Sequence, residues 1–238
     1  MNDLATPHRL DDPIWSALTS RHRHLGTGDD RARRYQPDVA PFAAVAPGGA
    51  PDWAALRSVL RAGDEAAILA REPIGNVAGL DTTEIGLVHQ MIAVRQRPDG
   101  ARGDGVIALQ PADAADMLEL ATLTKPGPFS ARTHETGRYI GIRDGGRLIA
   151  MAGERMRMDG HVEVSAVCVH DEYRGRGLAS RLIKLVRQDI EVQGDAAFLH
   201  VFSSNLSAIA LYEHLGFELR QVFHLVRVRA QGGAAAAG

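Results

Sequence analysis

Cysteine is nearly absent. Cys168 is the only one in 238 residues, which excludes an intrachain disulfide and a thiolate zinc cage and fits a reducing compartment. An excess of one charge is lacking too: 27 basic against 29 acidic side chains leave a formal net charge of -2 and no general attraction to nucleic acid or anionic lipid. No apolar run approaches the ~18 residues of a membrane-spanning helix. The N-terminal stretch MNDLATPHRLDDPIW carries acidic residues and prolines where a signal peptide needs a basic start and an apolar run. A cytoplasmic protein with no membrane or nucleic-acid partner is expected, and the histidines lack companions for a metal site. What is present is a hydrophobic content of 45%, ordinary for a globular chain with a real core.

The first hundred residues alternate helical pieces, IWSALTSR and PDWAALRSVLRAG, with the proline- and glycine-rich QPDVAPFAAVAPGGAP, and EAAILA and LVHQMIAV read as strands. RQRPDGARGDG, at 95–105, is the best candidate linker. The expected organisation is an N-terminal α/β region over 1–102, a domain over 103–230 of which that region is open to being a diverged half-copy, and a frayed low-complexity tail over 231–238.

From residue 106 the elements run as strand VIALQ, helix PADAADMLELATLT, a hairpin of RYIGIRD and RLIAMAGERM around Gly145 and Gly146, and strand VEVSAVCVH. LASRLIKLVRQDIEV then places Leu178, Leu182, Val186 and Ile190 four apart, one stripe of a helix buried on a sheet. FLHVF is a strand, LSAIALYEHLGF a short helix capped by Gly216, and LRQVFHLVRVR supplies closing strands. The fold class is α/β with a mixed sheet.

Between the VEVSAVCV strand and the striped helix lies Val169-His170-Asp171-Glu172-Tyr173-Arg174-Gly175-Arg176-Gly177-Leu178-Ala179. A glycine turn at a helix N-terminus presents backbone N–H groups and the positive end of the dipole to a phosphate or pyrophosphate. Alone it is equally a tight surface turn, and without a GK[ST] ending it is no Walker loop. Together with the downstream FLHVF and Asn205-x-x-Ala208-x-x-x-Tyr212-Glu213-x-x-Gly216-Phe217, it resembles the GNAT N-acyltransferase superfamily, closely over about 139–229 and loosely from 106.

The resemblance implies a GNAT fold with an N-terminal α/β extension, acetyl-CoA as co-substrate, no metal, and direct transfer of the acetyl group to an amine in a ternary complex. Arg174, Gly175, Arg176, Gly177, Leu178, Ala179 and Ser180 would wrap the pyrophosphate. Val167, Cys168 and Val169 would offer main chain to the pantetheine and thioester, an N–H near Val169 stabilising the oxyanion. Asn205 would bond the cofactor arm, its plainer role being a helix N-cap, and Tyr212 would protonate the departing thiolate, its plainer role being packing. For the base there are two candidates: Glu163, on the odd-numbered face of its strand with Val167 and Val169, and His200 on the next strand. Either can instead be structural, and the choice stays open.

The Cys168 side chain, on the opposite face, is expected to be buried and structural. Arg21-His22-Arg23-His24 with Arg31, Arg33 and Arg34 reads as a solvated helix face rather than a nucleic-acid site, and Lys125-Pro126-Gly127-Pro128-Phe129 as a loop shaping the acceptor pocket. The acceptor, a small-molecule or peptide amine, is not specified, and a homodimer is left open. A GNAT-like module that binds acyl-CoA without catalysis is the alternative function.

Overall fold

A computed structural model describes residues 8–94 and 103–231; most of the expected linker, residues 95–102, and the tail from 232 lie outside the described residues. The elements are α1 (Pro13–Thr19), β1 (Gly26–Gly28), β2 (Ala32–Tyr35), β3 (Ala43–Val45), α2 (Trp53–Val59), β4 (Glu65–Ala70), β5 (Leu80–Ala93), β6 (Val106–Leu109), α3 (Ala114–Thr124), β7 (Tyr139–Asp144), β8 (Arg147–Met158), β9 (His161–Val169), α4 (Leu178–Val192), β10 (Ala196–Phe202), α5 (Leu206–His214) and β11 (Phe217–Ala230). The fold is mixed α/β, with an eight-stranded sheet in the order β4-β11-β5-β10-β9-β8-β7-β6 and a small sheet β1-β2-β3.

The stripe on α4 does what its spacing predicts: Leu182, Val186 and Ile190 are buried, with Ile183 beside them, against Ala150, Ala152, Val162, Val164, Leu199 and Phe217. Burying such side chains stabilises the fold by roughly 1.5–3 kcal/mol each. Gly145 and Gly146, both at positive φ, make the expected tight turn between β7 and β8. Gly216, at φ 83, sits after α5 as the expected left-handed residue past the helix end.

Three expectations change. β5 pairs with β10 on one side and β11 on the other, so the strands on either side of the proposed 102/103 boundary share one sheet. The closing segment is one long strand, β11, bent by a bulge between Leu219 and Gln221. Finally, β2 holds Arg33 and Arg34, expected on a helix face, and β3 lies in the proline- and glycine-rich stretch; with β1, these strands of three or four residues are too short for a periodic signal. Helix α1 touches β8 of the large sheet and β2 and β3 of the small one, and so lies between the two sheets. Leu10, Ile14 and Leu18 there pack against Met156, Met158 and Phe198, on the face opposite α4.

Candidate active site

β9 and β10 run parallel but pair at only three positions, Ala196 with His161, Ala197 with Val162 and Phe198 with Glu163. From Phe198 to Phe202, β10 is held by β5 instead, while β9 stays paired with β8 up to Val169. The two strands therefore fork. Beyond Glu163, the edge of β9 that faces β10 has no strand partner among the described residues, which leaves main-chain groups of Val167, Cys168 and Val169 available to an extended ligand.

A bulge shapes that edge. Ser165 pairs with Gly153 and Cys168 with Met151, so β9 carries one extra residue, and Ala166 takes a φ of 52°. The alternation flips there. Val162 and Val164 before the bulge, and Val167 and Val169 after it, pack toward α4, while Ala166 and Cys168 pack under α3. Glu163 accordingly lies on the face opposite Val167 and Val169, correcting the shared face that a strict two-residue period implied. The Cys168 side chain is buried, and burial pushes its thiol up to about 12.

At its far end the fork reaches the glycine turn. Gly175 (φ 77) and Gly177 (φ 72) are left-handed, and a Cβ at either would meet nothing within 4 Å, so the turn is open for a group to lie against. Leu178, Ala179 and Ser180 form the first turn of the 15-residue α4, whose amides have no intrahelical acceptor. The arginines fold outward: Arg174 pairs with Asp171 at 2.8 Å, and the Arg176 guanidinium stacks 4.8 Å from the Tyr173 ring centre. The residues expected to hold a pyrophosphate are thus brought together, with the arginines parked on loop neighbours.

Asn205 caps α5, its Oδ1 accepting from the Ala208 amide at 3.2 Å and from Ser207 Oγ at 3.1 Å. Tyr212 packs on the α4 side of the sheet, edge-on to Phe217 with ring centres 6.0 Å apart. Burial pushes its phenol up to about 12, so it holds its proton at neutral pH.

The two base candidates meet each other. Glu163 is fully buried; Arg155 Nη2 donates to its Oε1 at 2.6 Å and Arg155 Nε to its Oε2 at 2.8 Å, and His200 Nδ1 stands 2.7 Å from Oε1. Burial alone would raise this carboxyl, but the charge and hydrogen bonds of Arg155, with the bond from His200, hold it at about 2. On the far side, His200 Nε2 lies 3.2 Å from Gln90 Nε2, and Gln90 Oε1 accepts from Arg220 Nη1 at 2.9 Å. With its oxygen so engaged, Gln90 presents N–H to the imidazole Nε2, while Nδ1 faces the Glu163 carboxylate as a donor. The two base candidates are thus brought together in one buried hydrogen-bonded group with Arg155 and Gln90.

Arg155, Gln90 and Arg220 carry no signal in the sequence, because only the strand order brings them to Glu163. The lid over them carries none either: Arg155 lies 5.1 Å from the centre of the Phe42 ring. In the run Arg21 to His24, expected as a solvated helix face, Arg21, Arg23 and His24 are exposed but His22 is buried. α1 ends at Thr19, Arg21 makes a two-pronged pair with Asp195, and His22 is buried between the Tyr35 hydroxyl and Thr136 O. Arg31 pairs with Asp29 and Arg34 with Asp64, while Arg33 is buried. In the Lys125–Phe129 loop, Phe129 packs edge-on to Tyr139 at 5.9 Å. A pocket of about 220 Å³ opens between α3 and the β7–β8 turn beside His170, separate from the fork.

Comparison with known proteins agrees with this geometry. Residues 139–228 match the FR47-like protein family. The crystal structure of a Novosphingobium aromaticivorans protein assigned to the GNAT family of acetyltransferases superposes with a TM-score of 0.87 at 39% identity, over 95% of this chain and 100% of that one. The N-alpha-acetyltransferase RimI of Mycobacterium tuberculosis is 32% identical over 47% of this chain and 76% of its own length. An uncharacterised Mycobacterium leprae protein is 28% identical over 76% of this chain, which spans only 54% of that protein.

Proposed function

The chain belongs to the GNAT family of N-acetyltransferases, and from that premise we propose that it carries an acetyl group from acetyl-CoA to the α-amine of a peptide or small-molecule acceptor within one ternary complex. The observation that carries this reading is the fork between β9 and β10, running from Glu163 to the open glycine turn at the N-terminus of α4. The residues present fit the co-substrate. Gly175, Gly177 and the amides of Leu178 to Ser180 would hold the pyrophosphate, and the unpaired edge at Val167 to Val169 the pantetheine arm. Asn205, whose Oδ1 is spent on the helix cap, still has its amide nitrogen to donate.

Acetyl-CoA supplies an activated thioester. Tyr212, protonated across the neutral range, would be the acid that returns a proton to the leaving sulfur. With Glu163 and His200 engaged, the acceptor must arrive already neutral or lose its proton to solvent. An α-amine, with an ordinary pKa of about 8, is neutral for a substantial fraction of the time near pH 8; a lysine side chain, at about 10.4, is not. That difference, together with the N-alpha activity in the name of the Mycobacterium tuberculosis relative, supports the α-amine.

The test is calorimetric titration with acetyl-CoA of the wild type and of a Gly177→Glu variant, which sets a side chain and a negative charge in the turn. CoA release is then measured with peptides bearing a free N-terminus, or a blocked N-terminus and an internal lysine. Binding lost in the folded variant and turnover with the free N-terminus are expected. Absence of acyl-CoA binding by the wild type, or turnover with lysine alone, would overturn the reading.

A further inference from the structure

Arg155 lies on β8, Glu163 on β9, His200 on β10, Gln90 on β5 and Arg220 on β11, one residue from each of five strands that are neighbours in the sheet. Their side chains join in that order through contacts of 2.6 to 3.2 Å. The chain of contacts crosses the sheet where β9 and β10 part: the last paired position is Phe198 with Glu163, and His200 stands two residues further on. We propose that these five side chains act as a tie that sets how far β9 and β10 diverge, so that Glu163 and His200 position the sheet edge receiving the thioester and do not accept the acceptor's proton. The inference rests on the fork being the acetyl-CoA site.

Every polar atom at the centre of the tie is spent. Both Glu163 oxygens accept from Arg155, one of them also from His200, and the His200 Nε2 lone pair faces the Gln90 amide. Gln90 Nε2 donates further to Leu10 O at 3.0 Å, and Arg220 pairs with Asp11, anchoring the far end in the N-terminal region. The charged and titratable groups that feel Glu163 are Arg155, His200, Tyr139 and Tyr212, with Tyr35 and His22 contributed from the N-terminal region. Phe198 and Phe223 stand edge-on to the His200 ring at 5.7 and 6.1 Å, and the His200 side chain is 6% exposed. With Glu163 fully buried and His200 nearly so, neither base candidate lies open on the surface. A tie needs no such access, because it acts through the strands that carry it.

A buried ion pair that merely stabilises the core would tune overall stability; a tie tunes the fork. His200→Asn keeps an N–H donor near the Nδ1 position yet has no titrating group, whereas His200→Phe removes the donor and keeps the ring. Three readouts on the full chain separate the readings: acetyl-CoA affinity, kcat and KM across pH 6 to 9, and hydrogen exchange of the amides from Val164 to Val169. The expectation is that His200→Asn keeps kcat within a few-fold and the wild-type pH profile. His200→Phe should raise the Kd and KM for acetyl-CoA by about tenfold or more, the scale of one charge-assisted hydrogen bond, and speed exchange along β9. Gln90→Met, which removes the group that orients the imidazole and leaves the Arg155–Glu163 pair, should show the same pattern more weakly and serves if His200→Phe does not fold. A loss of about 100-fold in kcat with a changed pH profile in His200→Asn would make His200 the base and overturn the proposal. Unchanged affinity and unchanged exchange in folded His200→Phe or Gln90→Met would overturn it as well. The exchange readout needs no ligand, so a failure of the acetyl-CoA reading is distinguishable from a failure of the tie.

Discussion

The Tyr173 hydroxyl donates to Asp144 Oδ2 across 2.6 Å, fastening the glycine turn to the end of β7. Asp144 also raises the pKa of this phenol by accepting its hydrogen bond, so the contact persists throughout the neutral range. Tyr173 is thereby held under Arg176, keeping that side chain on the outside of the turn. Tyr173→Phe should weaken acetyl-CoA binding a few-fold, the scale of one exposed hydrogen bond to a charged acceptor, without altering kcat at saturation. Calorimetry and initial rates on one preparation check this, and equal affinity in the variant would remove the fastening role.

Tyr212 offers a sharper separation between packing and chemistry. Phenylalanine keeps the ring against Phe217 and deletes only the hydroxyl. Tyr212→Phe should therefore bind acetyl-CoA like the wild type and lose about 100-fold in kcat, the range of a general acid. A variant with full turnover would leave Tyr212 as a packing residue.

Local pattern made part of this molecule legible. The four-residue spacing on α4 and the paired glycines between β7 and β8 each depend on neighbours in sequence, and each formed as read. Asn205 likewise formed the helix cap given as its plainer role. The rest depends on what lies across space. Alanine at 166 carries no signal for a bulge, yet its φ of 52° reverses the face on which Glu163 was expected. β5 enters between β10 and β11 from far along the chain, and only then does Gln90 meet His200. Arg187, on the buried side of α4, reads as a polar interruption of the stripe, and its reason is tertiary: Nη1 donates to Leu215 O at 2.7 Å and the guanidinium lies over Phe217.

Cys168 should be inert. Its thiol is buried and pushed up to about 12, leaving negligible thiolate at neutral pH. A thiol reagent at pH 8 should release no signal from the native protein and one equivalent in denaturant, and Cys168→Ala should retain full activity at a stability cost of about 1 kcal/mol. Rapid labelling of the native protein that abolished turnover would place the thiol at the site instead.

His22 should make the fold less stable as the pH falls. Burial lowers its pKa to about 4 from an ordinary 6.5, while its bond to Thr136 O acts the other way. The carbonyl can only accept, so Nε2 carries the proton and Nδ1 accepts from the Tyr35 hydroxyl at 2.9 Å. The unfolded chain takes up a proton near pH 6.5 that the folded chain refuses until about pH 4, so this group's contribution is fully present above 6.5 and is lost as the pH falls through that window. The shift corresponds to about 3 kcal/mol across the window. His161, also lowered by burial, adds a smaller slope of the same sign. Urea unfolding of the wild type and of His22→Gln between pH 4 and 7 isolates this contribution: the variant should be less stable at pH 7, and the gap should narrow steadily toward pH 4. A gap independent of pH would mean that the imidazole is not held neutral against Tyr35 and that the N-terminal region is anchored on the sheet by other contacts.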